Sequence, residues 1–475
     1  MREKPQNNLN LGVIFLPIDI KEKKRLTRKL QRHFDYKNVY YTFDNDTVSL
    51  GGLYPFFVNF MSLLGIKDAL TDNVHLRRKG RLYSNMEMFH ILADSIIFDI
   101  ERIEHIGLLN NTLCQKIRGL KDIPDPETAR DYLETFTLEN IEELLLANKE
   151  ILSKVQKFTG PQEVTLLSDT HVTTVYGHQE NAEVAYNPKK HGRPSFQPKV
   201  AFLHNTGWLI NFQLCGGKTT SKTDFESFIG RTIALLPKDS WLSRVRLDRG
   251  FFSEDTCLFF EAKQTITYYL KVVVNPKMQG CFARIPEEQF THIEGTPFDL
   301  AEAYYRPDAW SKERRFVVIR KLAPVRTKDK HQKSLFELPP SYEHEAIVTN
   351  ADDDETKEEI FSSYNSGCQV ENFIKELSYE FYIDKVNSQE FTANSAFMTI
   401  KCITYNIVQC FKQQILKDMW KTRSFKTIKN YLVQIPCNVF RYGRGIRVSL
   451  PSSYRFKEVF QRSEERLFQF AQGFL

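Results

Sequence analysis

The chain has 475 residues, more than one compact core usually holds when domains run to roughly 100–200 residues, so two or three domains are expected. Its 41% hydrophobic and 26% charged residues are those of a globular protein and argue against long disorder, and no apolar run reaches the ~20 residues a membrane helix needs. The net charge of +6 is mild but concentrated: basic runs at 21–32, 77–81, 326–333 and 421–429 favour contacts with the phosphates of a polyanion. The eight cysteines form no Cys-x-x-Cys pair and no zinc-ligand spacing, which fits buried thiols in a reducing cytoplasm. Leu11–Ile18 is apolar but too short, and too poorly flanked, for a secretory leader.

In chain order, Asn38–Phe43 reads as a strand after the first basic run. From Gly51 to about Val155 apolar residues recur at three- and four-residue steps, through Phe56–Leu70, Met86–Phe98 and Leu138–Leu152, and predict helices. Asp125-Pro126-Glu127 reads as a helix start, with an N-cap followed by proline and acid. Residues 1–155 are therefore read as a mainly helical, DNA-binding domain. From Gln162 the pattern alternates. Strands are expected at Val164–Asp169, at Lys199–His204 and Trp208–Leu214 (a hairpin through Asn205-Thr206-Gly207), at Arg244–Asp248 and at Thr267–Val274. Helices are expected at Asp224–Leu236 and Ser253–Lys263. This order predicts a mixed α/β sheet covered by helices. Residues of about 276–350, with strands at Arg315–Arg320 and His344–Val348, read as a β-rich insertion. Glu358–Leu377 and Phe391–Leu416 are helical again, which closes a catalytic domain at 156–420. The region 421–475 is a basic tail carrying Arg441, Arg444 and Arg447.

Three of these segments each place one carboxylate where metal-dependent phosphoryl transfer needs it. Asp169 ends the strand Leu166-Leu167-Ser168-Asp169; Asp248 ends Val245-Arg246-Leu247-Asp248; Glu371 lies on the helix after Tyr364. A lone aspartate at a strand end is usually a turn residue, and a lone helical glutamate is usually solvated. Three together can hold two divalent ions about 4 Å apart, the arrangement that cuts and joins nucleic acid. Magnesium suits such hard oxygen ligands, so Mg²⁺ (or Mn²⁺), two ions, is the expected cofactor. If the two strands are neighbours, Asp169 and Asp248 share one edge of the sheet, and Gly250 permits a tight strand exit. Tyr364 and Lys375 fall on the helical face of Glu371, and Glu376 points elsewhere. The loop Lys189-Lys190-His191-Gly192-Arg193 is expected to grip a DNA backbone, with Arg249 beside the site. His178 reads as a strand histidine, and Trp310 as a packing residue.

Several blocks give these residues a family likeness. They are Tyr176-Gly177-His178-Gln179-Glu180, Tyr186-Asn187-Pro188-Lys189-Lys190-His191-Gly192-Arg193-Pro194-Ser195-Phe196, Asp248-Arg249-Gly250-Phe251-Phe252, the segment Tyr364–Glu376, and Phe391-Thr392-Ala393-Asn394-Ser395 with the helix to Asn406. From about Gly51 to Leu450 the chain resembles DDE transposases of the insertion-sequence-1380 family. The resemblance implies a ribonuclease-H-like catalytic core with a β-rich insertion before the glutamate, and Asp169, Asp248 and Glu371 as the metal-binding triad. It also implies cleavage at terminal inverted repeats and strand transfer into target DNA. Related transposases carry an arginine three residues after the tyrosine and a lysine seven after the glutamate; here Gly367 and Ser378 stand instead, with Lys375 placed to compensate. The expected partners are double-stranded DNA with inverted repeats, target DNA and a second copy of the chain, in a bacterial cytoplasm. A stand-alone nuclease, or a decayed or recruited DNA-binding protein, remains the alternative.

Overall fold

The computed structural model describes residues 47–475 except 79–81, 324–341, 367–368, 417, 443–444 and 475. Before residue 47 it describes Lys21, Lys24, Arg25, Arg28 and Arg32. The chain divides into two units, 1–48 and 49–475. In the first, the five described basic residues are helical and exposed. The expected strand Asn38–Phe43, Gly367, Arg444 and the basic loop 326–333 lie outside the described residues.

After β1 (Val48–Leu50), the second unit is helical to residue 159: α1 (Tyr54–Leu63), α2 (Ile66–Asn73), α3 (Asn85–Ile97), α4 (Cys114–Arg118), α5 (Pro126–Glu134) and α6 (Leu138–Thr159). The apolar run expected as one helix from Phe56 to Leu70 is two, because Gly65 takes a left-handed turn (φ 63°). Asp125 caps α5 as its sequence implies, accepting the Thr128 N–H at 2.7 Å. These helices share one continuous hydrophobic core with the sheet and the later helices. Their buried hub is Asp94, which accepts two hydrogen bonds of 2.8 Å from Arg118 and one of 2.7 Å from Tyr54.

The next strands are β2 (Gln162–Thr170), the short β3 (Thr173–Thr174), β4 (Glu183–Val184) and β5 (Pro194–Phe196), then β6 (Lys199–Leu203) and β7 (Leu209–Gln213). The chain continues through α7 (Phe225–Ala234), β8 (Ser240–Leu247), α8 (Glu254–Glu261), β9 (Thr267–Lys271), α9 (Pro276–Phe282), β10 (Thr291–His292), β11 (Asp299–Tyr305), β12 (Arg314–Leu322) and β13 (Tyr342–Thr349). Nine strands make one sheet in the order β10-β11-β12-β13-β9-β8-β2-β6-β7; β3, β5 and β4 form a small separate sheet. β2, β8 and β9 run parallel, and β6 is antiparallel to both its neighbours. The strands expected as an insertion exist, but they extend the central sheet: β13 pairs with β9.

The last elements are α10 (Lys357–Asn365), α11 (Gln369–Glu380), α12 (Phe391–Phe411), α13 (Phe425–Ile428), a hairpin of β14 (Pro436–Tyr442) and β15 (Gly445–Ser449), and α14 (Lys457–Gln472). The segment expected as one helix from Glu358 to Leu377 is thus two. α10 packs Ile360 and Phe361 against Tyr269, Val317, Ile319 and Ile347. α11 packs Phe373 on Phe202 of β6, ring centroids 5.4 Å apart. Strand alternation puts Tyr269, Arg246 and Phe202 on one face, so both helices cover that face, over different strands. α12 is buried along most of its length, and its Asn406 clamps Leu209 of β7 through both backbone groups, at 2.8 and 2.7 Å. Among the described residues no helix is long and apolar enough to cross a membrane.

Removing one partner of a buried ion pair strands the other charge. Arg118→Met is therefore expected to cost about 3–5 kcal/mol of stability, read as a fall in the urea midpoint with an unchanged slope.

Candidate active site

β2 and β8 are hydrogen-bonded in parallel, with Ser168 opposite Leu247 as the last registered pair. One step further stand Asp169 and Asp248. Neighbouring strands lie ~4.8 Å apart and matched positions face the same way, so the register alone sets these carboxylates side by side. Asp169 is half-buried, and its Oδ1 accepts the Thr170 N–H at 2.7 Å. Asp248 is exposed in extended backbone (φ −75°, ψ 167°) just past β8. The approach at Gly250 is close: a Cβ there would stand 2.8 Å from the Ser221 hydroxyl, which itself lies 3.0 Å from Thr170 Oγ1.

Glu371 lies in the first turn of α11, exposed, with Lys375 Nζ 3.7 Å from its carboxylate. All three acids line one cavity of about 580 Å³, together with Arg246, Arg249, Lys271, His344, Glu345 and Tyr364. Burial pushes the Asp169 carboxyl up to about 6; the negative charges of Asp248 and Glu371 add to this, while the Thr170 N–H and His171 oppose it. As placed, no three His, Cys, Asp or Glu side chains among the described residues stand close enough to hold a metal ion. The donor set nevertheless fits one: three hard carboxylate oxygen donors whose like charges repel one another.

The other expected site residues divide. Arg249 and Tyr364 line the cavity. Tyr364 arrives there from α10, not from the helix of Glu371, so the shared helical face inferred from their spacing is corrected to a shared cavity wall between two helices. Lys271 Nζ lies 5.5 Å from the Tyr364 ring centre and 2.6 Å from Glu345. Lys375 lines a separate shallow pocket with Glu376, Lys412 and Arg423. Glu376 points away as expected, toward Gln409 (2.9 Å) and Lys412 (3.2 Å). Lys190, His191 and Arg193 are exposed in the loop between β4 and β5, outside the cavity lining, and Arg193 lies over the Tyr176 ring at 5.8 Å. His178 is exposed and lies outside any strand, unlike its reading as a strand residue. Trp310 packs on Phe252, 5.2 Å between ring centres, and under Arg314.

Ser378, seven residues after Glu371, is buried, 3.4 Å from His171 Nε2. His171 in turn meets Asp384 at 2.7 Å, and Thr173 donates to the same carboxylate at 2.9 Å. Burial would raise the Asp384 carboxyl, yet His171 and its other donors hold it below the usual range. That position on α11 thus faces inward and serves internal contacts. Arg246, Lys271, His344 and Glu345 also line the cavity, beyond the residues that the sequence pattern singles out. Arg246 carried a signal, a charged residue at even spacing before Asp248 in an apolar strand. The others reach the cavity through pairing of β13 with β9, for which no local pattern exists.

The model of the family described as transposase DDE domain group 1 matches residues 31–472. The chain belongs to this family. The transposase is accordingly an enzyme that cuts and joins DNA. No curated protein gives a significant match. Among solved structures, the chain is similar to the piggyBac transposase synaptic complex with hairpin DNA, at 12% identity over 79% of this chain and 78% of that one, with a TM-score of 0.41.

The folded-state value of about 6 at Asp169 lies above the ordinary 3.8. Below about pH 4 folded and unfolded forms of the transposase both hold this proton; between 4 and 6 only the folded form does. Stability of the metal-free protein is therefore expected to fall as pH rises through that window. Asp169→Asn should flatten the fall, which a denaturation series from pH 4 to 7 will read.

Proposed function

We propose that Asp169, Asp248 and Glu371 are the metal-binding triad of the transposase, and that the chain cleaves the ends of its element and joins them to target DNA. The observation that carries this is the register of β2 and β8, which sets Asp169 beside Asp248 on a cavity that Glu371 also lines. A ribonuclease-H-like core is the fold reading that suits these strands. Its support is the order β7-β6-β2-β8-β9, with β6 alone reversed and the acids at the ends of the two middle parallel strands. The finer placement among insertion-sequence-1380 elements rests on the Tyr186–Phe196 block.

Two Mg²⁺ (or Mn²⁺) ions are the cofactor this donor set suits; when bound, such ions activate the attacking hydroxyl and offset charge on the departing oxygen. Asp169 and Asp248 are the fixed donors, held by backbone register. Glu371 is the adjustable one, on an exposed helix turn, and it must give up Lys375 to join them. The basic and aromatic residues act on the DNA. Arg249 and Tyr364 meet it at the cavity, and Lys375 at the rim. Lys190, His191 and Arg193 grip the backbone beyond it, on an exposed loop suited to phosphate contact. The helices of the first 155 residues would bind the inverted repeat, and a homodimer on two ends would bring both to one target.

The test is a Mg²⁺-dependent cleavage assay on DNA carrying the element's own flanking ends, with Asp248→Asn in parallel. Cutting at the repeat boundary is expected from the parent. The variant should lose more than about a hundredfold, beyond what an outer-shell partner of a metal costs, while its affinity for the ends stays near normal. Equal loss of binding and cutting would overturn the role given to Asp248. In a separate titration, Lys190→Ala and Arg193→Ala should each weaken binding across all sequences and reduce the salt slope by about 1. An unchanged slope would remove the loop from the DNA interface.

A further inference from the structure

The cavity holds a cation that the carboxylate chemistry leaves unused. Arg246 of β8 is 9% exposed and lines the cavity, yet its Nε and Nη1 have no hydrogen-bond partner among the described residues. Buried N–H groups are nearly always paired, and an unmet one costs the desolvation of that group.

The other buried arginines of this sheet show what the fold does when an arginine is structural. Arg314 is clasped by Glu254 and Glu261, Arg315 by Glu302, and Arg320 by Glu287 and Asp299. No acidic residue forms an ion pair with Arg246 among the described residues, and burial together with the Arg244 charge holds its pKa below the usual arginine value. Lys271 in the same cavity is already committed to Glu345. Arg246 lies two residues before Asp248, on the same strand face and ~6.6 Å along the strand. A DNA strand whose scissile phosphate meets Asp169 and Asp248 can therefore bring its next phosphate to the guanidinium.

We propose that Arg246 is a phosphate-binding residue inside the catalytic cavity. Its guanidinium grips the phosphodiester next to the one being cut and so holds the scissile phosphate over Asp169 and Asp248. The planar fork of donors suits a phosphate's paired oxygens, and the dry setting strengthens each bond. This assignment deepens the transposase reading and rests on it.

The experiment compares the parent, Arg246→Met and Arg246→Lys on end-bearing DNA in which single phosphates around the cut are replaced, one at a time, by neutral methylphosphonates. One neutral linkage should slow the parent about ten- to hundredfold, the range of a charge-assisted hydrogen bond. Arg246→Met should be slowed by a similar factor on ordinary DNA and show no further loss with that linkage, and Arg246→Lys should fall between. Thermal unfolding of the DNA-free proteins gives a readout independent of cleavage: removing an unpaired buried charge should leave the midpoint of Arg246→Met unchanged or raised. Losses that multiply in Arg246→Met, or a lowered midpoint, would overturn the proposal and make Arg246 structural. A parent that cuts no end-bearing DNA would instead bring down the reading of the triad, and this proposal with it.

Discussion

Two like charges placed side by side by backbone hydrogen bonds are the constraint on which the candidate site depends. The parallel ladder between β2 and β8, last paired at Ser168 and Leu247, brings Asp169 and Asp248 to the same end of the sheet. Burial of Asp169, with repulsion from Asp248 adding to it, pushes its carboxyl up to about 6, so the metal-free fold carries an electrostatic cost at neutral pH. A divalent cation is the kind of ligand that relieves such a cost, and the cavity above the strand ends gives it room.

The rest of the molecule holds that ladder in place. α12 runs buried through the core and fixes β7 through Asn406, whose side chain also meets Asn148 of α6 at 2.8 Å. The N-terminal helices share the same core, so the unit from residue 49 onward behaves as one packed body around the sheet. On the other side, β10–β13 widen the sheet, and their arginines are neutralised by carboxylates at nearly every buried position. α10 and α11 come from one stretch of sequence yet cover different strands, which leaves the cavity between the carboxylate pair and Tyr364.

Within the cavity the acids and the cations play different parts. The aspartates stand at the ends of paired strands, while Glu371 sits at an exposed helix start with Lys375 at hand. Ser378 is turned inward toward His171, which meets Asp384, while Lys375 on the same helix is exposed beside Glu371. The exposed loop from Lys189 to Arg193, with Arg193 over the Tyr176 ring, lies outside the cavity lining.

Local chemistry made much of this legible in the residues. Alternating apolar strands, the Asp125-Pro126 helix start, the Asn205-Thr206-Gly207 hairpin and both strand-end aspartates follow from propensities and turn rules that act over a few residues. Glu371, which no local rule separates from a solvated glutamate, stood out only in company with the two aspartates and through the family likeness. Other features were decided by contacts between distant segments. Helical periodicity alone does not show that 358–377 breaks into two helices, nor that the strands of 276–350 join the central sheet, because pairing partners lie far away in sequence. Above all, the sequence shows Arg246 only as a charge within an apolar strand; packing shows it buried, its Nε and Nη1 without a partner among the described residues, because burial and hydrogen bonding are properties of the assembled neighbours and not of the residue.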